Sequence, residues 1–343
     1  MKNVVITGAA GFLGSHLMLH HLRQGDAVLG LDNYCSSNEN SGHVAAIKEL
    51  CISSSDYVET NKKKHGILLD VDICNDETIY EAHRLFCLSV SQVINFNKID
   101  IVYNFACPAS PPTYQEIPIL TNATCTTGVA NILEFALRHG ARVVHASTSE
   151  VYGDPDRSPQ REDYRGYVNS YGPRACYDEG KRCAEALCYD YLNMYEQDVR
   201  LVRIFNTYGP HMDQYDGRVV SNFIRQALKN EPLTIYGQGQ QKRSFCYVDD
   251  LIAGIVAMGE LEQNPKSPVN LGNPNEFTIK ELASLVSSMI GTDKFKNKPM
   301  PIDDPTNRCP DITLAKNLLG WEPRVQIREG LEKTISYFRQ IVK

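Results

Sequence analysis

Apolar and polar positions fall in blocks whose period changes along the 343 residues. Val4 to Ile6 is a short β-prone run. Glycines follow at Gly8, Gly11 and Gly14, and Leu13, Leu17 and Leu22 then share roughly one helical face. A short apolar run bounded by glycines predicts a strand, and the 3.6-residue period after it predicts a helix. The exchange recurs. Strands are predicted at 27–31, 66–71, 99–105, 141–146 and 199–205, and helices at 12–24, 76–93, 122–139 and 175–195, with Asn122 placed to cap the third. Between 33 and 66 the chain is polar and irregular, with one helical piece around 44–50. Six strands alternating with helices predict an α/β fold built on a doubly wound parallel sheet. Beyond about residue 206 the pattern breaks up. Helices at 219–229, 248–258 (capped by Asp249), 278–290, 312–319 and 331–341 mix with short strands at 233–235, 243–247 and 269–271. The division is therefore 1–205 for the sheet domain and 206–343 for a smaller mixed α/β lobe covering the sheet edge, with some later segments returning to the first domain.

Composition narrows the classes. Hydrophobic residues make up 42% of the chain, enough for a large core. Net charge is −6, from 41 acidic and 35 basic residues, and no basic block interleaved with aromatics occurs, so no nucleic-acid partner is expected. Lys62 to Lys64 is a short basic run of solvated-loop character. The 11 cysteines include no C-x-x-C pair, and an odd number cannot all pair within the chain, which points to a reducing compartment. Cys51, Cys87 and Cys188 sit among apolar residues as small core side chains. The first strand starts close to Met1 and no 18-residue apolar run appears, so a cytoplasmic protein without membrane attachment is expected. No metal-ligand cluster is visible.

The glycine turn has the spacing G-x-x-G-x-x-G. A strand feeding a helix through it leaves the first-turn N–H groups aimed at the strand end, where a pyrophosphate fits. Asp32 ends the second strand, where a carboxylate holds adenosine ribose hydroxyls and repels a 2′-phosphate, favouring NAD over NADP. Asp70, ending the third strand, is a candidate for the adenine edge. Tyr177 and Lys181 are four apart on one helix face. A neighbouring ammonium lowers a phenol's pKa, which suits the pair to take a proton from a sugar hydroxyl while hydride leaves its carbon. Lys181 is also placed for the nicotinamide ribose. Strand five delivers Thr148, Ser149 and Glu150 to the same edge, Thr148 to share the proton and Glu150 to relay one. Arg243 and Arg308 are the cations for an anionic sugar nucleotide, Arg308 for the diphosphate and Arg243 for the diphosphate, a sugar carboxylate or both. Tyr236 packs either a nucleobase or the core, and Tyr208 and Tyr215 are placed at the substrate mouth. Plainer roles compete: a loop carboxylate for Asp32 and Glu150, a turn cap for Thr148, surface salt bridges for the arginines.

The stretches G-A-A-G-F-L-G-S-H-L, L-D-N-Y, F-A-C-P-A-S-P-P, S-T-S-E-V-Y-G-D-P, G-P-R-A-C-Y-D-E-G-K-R, R-I-F-N-T-Y-G-P, G-R-V-V-S-N-F-I, V-N-L-G-N-P and L-G-W-E-P carry a resemblance. Over nearly its full length the chain resembles the extended short-chain dehydrogenases/reductases, and among them the UDP-glucuronic acid decarboxylases. The resemblance implies a Rossmann-like, NAD-binding domain. It implies cofactor contacts from Gly8, Gly11, Phe12, Leu13, Gly14, Asp32, Asn33, Asp70, Val71, Ala106, Asn122, Tyr177 and Lys181. Catalysis falls to Thr148, Glu150, Tyr177, Lys181 and Arg243, with Glu150 and Arg243 serving decarboxylation and reprotonation. Substrate contacts fall to Pro108, Ser149, Asn206, Val219, Tyr236, Arg243 and Arg308. The implied reaction takes UDP-glucuronate through a 4-keto hexuronate and a 4-keto pentose to UDP-xylose and carbon dioxide, recycling NADH internally. Ser149-Glu150 separates this reading from a 4,6-dehydratase, where Asp-Glu is expected, and from the 4-epimerases, which usually lack the glutamate. Release of the 4-keto pentose, a 2-acetamido substrate and a non-catalytic NAD-binding scaffold remain alternatives. The helices at 122–139 and 175–195 lie side by side in such a sheet and predict a homodimer through four helices. Residues 72–99 are longer than the family's usual connection, and the membrane anchor that some members carry ahead of the first strand is not seen.

Overall fold

The computed structural model describes residues 1–37, 42–51, 65–90, 95–300, 305 and 307–342. The Lys62–Lys64 run and part of the 72–99 connection lie outside them. Strands β1 (Asn3–Thr7), β2 (Ala27–Asp32), β3 (Gly66–Asp70), β4 (Ile101–Asn104), β5 (Arg142–Thr148) and β6 (Val199–Ile204) form one parallel sheet. A seventh strand, Val269–Leu271, adds to β6, giving the order Val269–Leu271, β6, β5, β4, β1, β2, β3. The later chain thus closes the sheet that the sequence pattern ends at six strands. Three residues are too few to declare which sheet they join.

Side-chain alternation explains why both faces are covered. Val4 and Ile6 join a cluster with Leu17, Met18, Ile255 and Phe338, while Val5, between them, joins one with Leu29, Phe86, Leu133 and Phe135. The connections reverse direction between β1 and β4, and such a switch point opens a crevice over the carboxyl ends. The register Thr7↔Asn104 brings the ends of β1 and β4 level, and Asn104↔His145 lets β5 run three residues further, to Thr148.

Several local expectations change. The predicted 122–139 helix starts earlier and is broken, running as Pro118–Ala123, a π-helical turn Thr124–Gly128 and Val129–Arg138. Asn122 lies exposed inside this run rather than at its start, so it is not the cap. Asp249 lies in the first turn of Val248–Glu260, whose N-cap is Tyr247. Its neighbour Asp250 instead accepts from the N–H groups of Arg324 and Val325. The predicted 243–247 strand splits at Phe245: Lys242–Ser244 is central in a sheet with Glu276–Thr278 and Asn307–Arg308, and Cys246–Tyr247 pairs with Thr207–Tyr208. Tyr208 is buried in the core, away from any mouth, and Tyr215 is exposed. The cysteines are all free thiols, Cys51 and Cys188 buried and Cys87 partly so. No described helix is long and apolar enough to cross a membrane.

A buried polar chain pins the sheet edge. The Thr7 hydroxyl donates to Asn104 Oδ1 at 2.7 Å and accepts from the N–H groups of Phe105 and Ala106, both at 3.1 Å. Asn104 Nδ2 in turn meets His145 Nδ1 at 3.2 Å. Thr7→Val removes the hydroxyl and strands buried donors. It should lower the unfolding free energy in urea by about 1–3 kcal/mol, while Thr7→Ser keeps most of it.

Candidate active site

The turn between β1 and α1 (Phe12–Arg23) is built to receive a ligand's backbone-binding group. Gly8 has φ +67°, and a Cβ there would come within 2.8 Å of the Phe105 carbonyl. A Cβ on Gly14 would fall 2.0 Å from Gly8 O. Gly11 is the N-cap and no side chain caps α1, so the first-turn N–H groups, from Phe12, Leu13 and Gly14, keep the positive end of the helix open. Asp32, buried at the end of β2, accepts from Ala10 N at 2.9 Å, Tyr34 N at 2.8 Å and the Ser37 hydroxyl at 2.8 Å. An ionised carboxylate has about four acceptor positions, and the donors among the described residues fill three, which leaves one for a ribose hydroxyl. Asn33 follows, half-buried. Asp70 stands exposed beside Asp32 in register, and Val71 is buried behind it. A pyrophosphate over α1 and a ribose at Asp32 fit these residues, which is the donor set that NAD needs. Ala106 and Pro108 line the chain leaving β4 at the same edge. Asn122, exposed on its helix, is not joined to the described cluster by any side-chain hydrogen bond.

Strand β5 ends at Thr148, which caps the 3-10 turn Ser149–Tyr152 by accepting from Glu150 N at 3.2 Å. Thr148 therefore has the plain role and a second one, because its hydroxyl lies beside the Tyr177 phenol and favours the phenolate. Tyr177 and Lys181 lie on the buried face of the helix Ala175–Tyr195. The ammonium of Lys181 donates to Ala146 O at 2.8 Å and sits 5.9 Å from the centre of the Tyr177 ring. Its charge does not produce the lowered phenol pKa that the i,i+4 spacing suggests. Burial pushes the Tyr177 phenol well above its ordinary range, the neighbouring Cys107 adds to this, and Thr148 and Arg218 only partly oppose it. Without ligands the phenol is neutral.

Glu150 is no loop carboxylate. Burial would raise its pKa, yet the Arg308 and Arg174 guanidinium groups hold it down at about 2. Arg174 Nη2 donates to Glu150 Oε2 at 2.7 Å, and Arg308 Nη2 to the same oxygen at 3.0 Å. Arg308 Nη1 also donates to Ser149 Oγ at 3.0 Å, and its Nε has no partner among the described residues. Arg308 is thus buried against the edge that carries Ser149 and Glu150. Arg243 is its strand neighbour in register, and its guanidinium donates to the carbonyls of Lys242 and Pro305.

Two residues escape a reading of the sequence. Tyr114 lies on Tyr177 with parallel rings, centroids 4.9 Å apart and planes 3° apart, and the Arg174 guanidinium stands over the Tyr114 ring. Arg174 itself lies three residues before Tyr177, and that proximity was the available signal. Asn206 is half-buried just beyond β6, Val219 opens the helix Val219–Leu228, and Tyr236 ends the strand Leu233–Tyr236 at 37% exposed, so it is not a core residue. Among the described residues no side-chain hydrogen bond or ion pair joins Asn206 or Tyr236 to the Glu150 cluster.

The NAD dependent epimerase/dehydratase family model matches residues 4–272. UDP-glucuronic acid decarboxylase 1 of Xenopus tropicalis is 45% identical over 344 residues, covering 99% of this chain and 72% of that protein. UDP-glucuronic acid decarboxylase 4 of Arabidopsis thaliana is 46% identical over 341 residues, covering 99% and 69%. The structure of UDP-glucuronic acid 4-epimerase from Bacillus cereus, in complex with UDP-glucuronic acid and NAD, superposes with a TM-score of 0.80 at 26% identity, covering 99% of this chain and 100% of that one. The chain belongs to the NAD dependent epimerase/dehydratase family, the extended short-chain dehydrogenases/reductases, and its relatives there include the UDP-glucuronic acid decarboxylases.

Proposed function

We propose that the protein is an NAD-dependent UDP-glucuronate decarboxylase producing UDP-xylose and carbon dioxide. The observation that carries the reading is Glu150, held as a carboxylate between Arg174 and Arg308 two residues after Thr148. Its decarboxylase relatives supply the substrate. Bound NAD supplies a hydride acceptor, and later a donor, at C4 of the sugar. The protein's own residues manage protons and charge. Tyr177 takes the 4-hydroxyl proton through Thr148, and the cationic environment that turns its neutral phenol into a base is completed only when the cofactor is in place. Oxidation at C4 puts a ketone β to the C5 carboxylate, so carbon dioxide can leave with its electrons held in the carbonyl. Arg308 and Arg174 are the cations beside the carbon that loses it. Glu150, held ionised, anchors both guanidinium groups beside the reacting carbon, and the proton for C5 comes from solvent. Arg308 takes the role beside Glu150 that the family resemblance gives to Arg243, which is left for the diphosphate with Asn206, Val219 and Tyr236 at the nucleotide end.

We also place the protein as a homodimer. The Pro118–Arg138 run packs along the Tyr177 helix, and together they present Ile119, Tyr189 and Met194, which are 83%, 65% and 72% exposed. A second copy burying this face would form a four-helix contact.

Purified protein given UDP-glucuronate and catalytic NAD should yield UDP-xylose without net NADH; UDP-4-keto-pentose with stoichiometric NADH would favour the rival decarboxylase. Tyr177→Phe should cut kcat by about 10²–10⁴-fold with NAD affinity kept. In sedimentation, the wild type should run as a dimer and an Ile119→Arg/Met194→Arg double variant as a monomer; a wild-type monomer would remove the dimer proposal.

A further inference from the structure

The reaction uses no thiol, yet two stand at its centre. Cys107 follows β4 at the carboxyl edge, and Cys125 lies in the π-helical turn Thr124–Gly128. Their sulfurs are 3.1 Å apart. A disulfide needs about 2.05 Å, so roughly one ångström of approach separates the pair from a bond. Cys107 is partly exposed, whereas Cys125 is buried. The two thiols share one hydrogen bond in which either sulfur can donate, and the Lys181 ammonium lowers the pKa of both while burial raises it. The attacking species in thiol oxidation is the thiolate, and the shared proton and the nearby ammonium favour it on the accepting sulfur.

The pair is also mechanically joined to the catalytic helix. Cys125 packs on Gly180, where an added Cβ would stand 2.9 Å from Cys125 Cβ. Gly180 precedes Lys181, and Cys107 is a near neighbour of the Tyr177 phenol. Drawing Cys125 toward Cys107 changes the packing that holds both catalytic side chains.

We propose that Cys107 and Cys125 form an oxidative modification site, where a peroxide closes a disulfide that disables Tyr177 and Lys181. The proposal rests on the catalytic reading of those two residues. The thiolate attacks one peroxide oxygen, the O–O bond breaks, and the departing hydroxide takes a proton to leave as water. The sulfenic acid so formed is attacked by the second thiol, which forms the S–S bond and releases a second water. Two thiols lose two electrons and two protons, and the peroxide receives both. A dithiol reductant reverses the change by exchange.

The test uses the NAD-loaded wild type and Cys107→Ser, each treated with hydrogen peroxide. Peptides are mapped without reduction and turnover is measured before and after dithiothreitol. The expected result is a linked 107–125 peptide two hydrogens lighter than its parts, with turnover down about ten- to a hundredfold and restored by dithiothreitol. Cys107→Ser should keep its own untreated rate under the same peroxide. No linked peptide, a linked peptide with turnover retained, or equal inactivation of Cys107→Ser would each overturn the proposal. The linked mass is read without any assay of activity. Reduced wild type that turns over no UDP-glucuronate would therefore count against the enzymatic reading and not against the thiol chemistry.

Discussion

One carboxylate ties the catalytic edge together. Glu150 comes from the end of β5, Arg174 from the start of the Tyr177 helix and Arg308 from the C-terminal part of the chain, 24 and 158 residues away. A largely buried pair of guanidinium groups on one carboxylate oxygen is costly to desolvate, and taking away one member would strand uncompensated charge at the site. Such clusters are weak evidence for stability but fix geometry well. Here the fixed geometry sets Thr148, Ser149 and the Tyr177 helix against the strand that carries Arg308.

The parallel sheet supplies the ground for this arrangement. Its register levels the ends of β1 and β4 and carries β5 three residues beyond them, and the Thr7–Asn104–His145 chain ties the three strands together there. The dinucleotide cradle opens on the same edge through Gly8 and Gly14, whose missing side chains are demanded by contacts of less than 3 Å. Cofactor and proton-transfer groups are therefore positioned by backbone pairing, and the chemistry is added by a few side chains at strand ends.

Long periodic segments were legible in the sequence because hydrophobic burial alone determines them. The strand from Val4 and the helix carrying Tyr177 and Lys181 both follow from apolar spacing. Strands of two or three residues, such as Asn307–Arg308, carry no period and exist only through their partners. For that reason the placement of Arg308 beside Glu150 was hidden, and its guanidinium was assigned to the diphosphate. The Tyr177–Lys181 spacing correctly put both groups on one face, but spacing says nothing of the Ala146 carbonyl that engages the ammonium or of the burial that raises the phenol. Asn122 failed as a cap because the helix begins at a proline four residues earlier, and Pro at the first turn is itself a start signal.

The clamp can be measured without turnover. Carbon-13 NMR of the Glu side-chain carboxyls, with Glu150 assigned from the signal missing in Glu150→Gln, reports its protonation in the folded protein. The account predicts a Glu150 signal that stays in the carboxylate position as pH falls through 4.5 and moves only towards about 2. A signal that titrates at 4.5 or above would show that Arg174 and Arg308 do not hold it, and would contradict the arrangement on which the site is built.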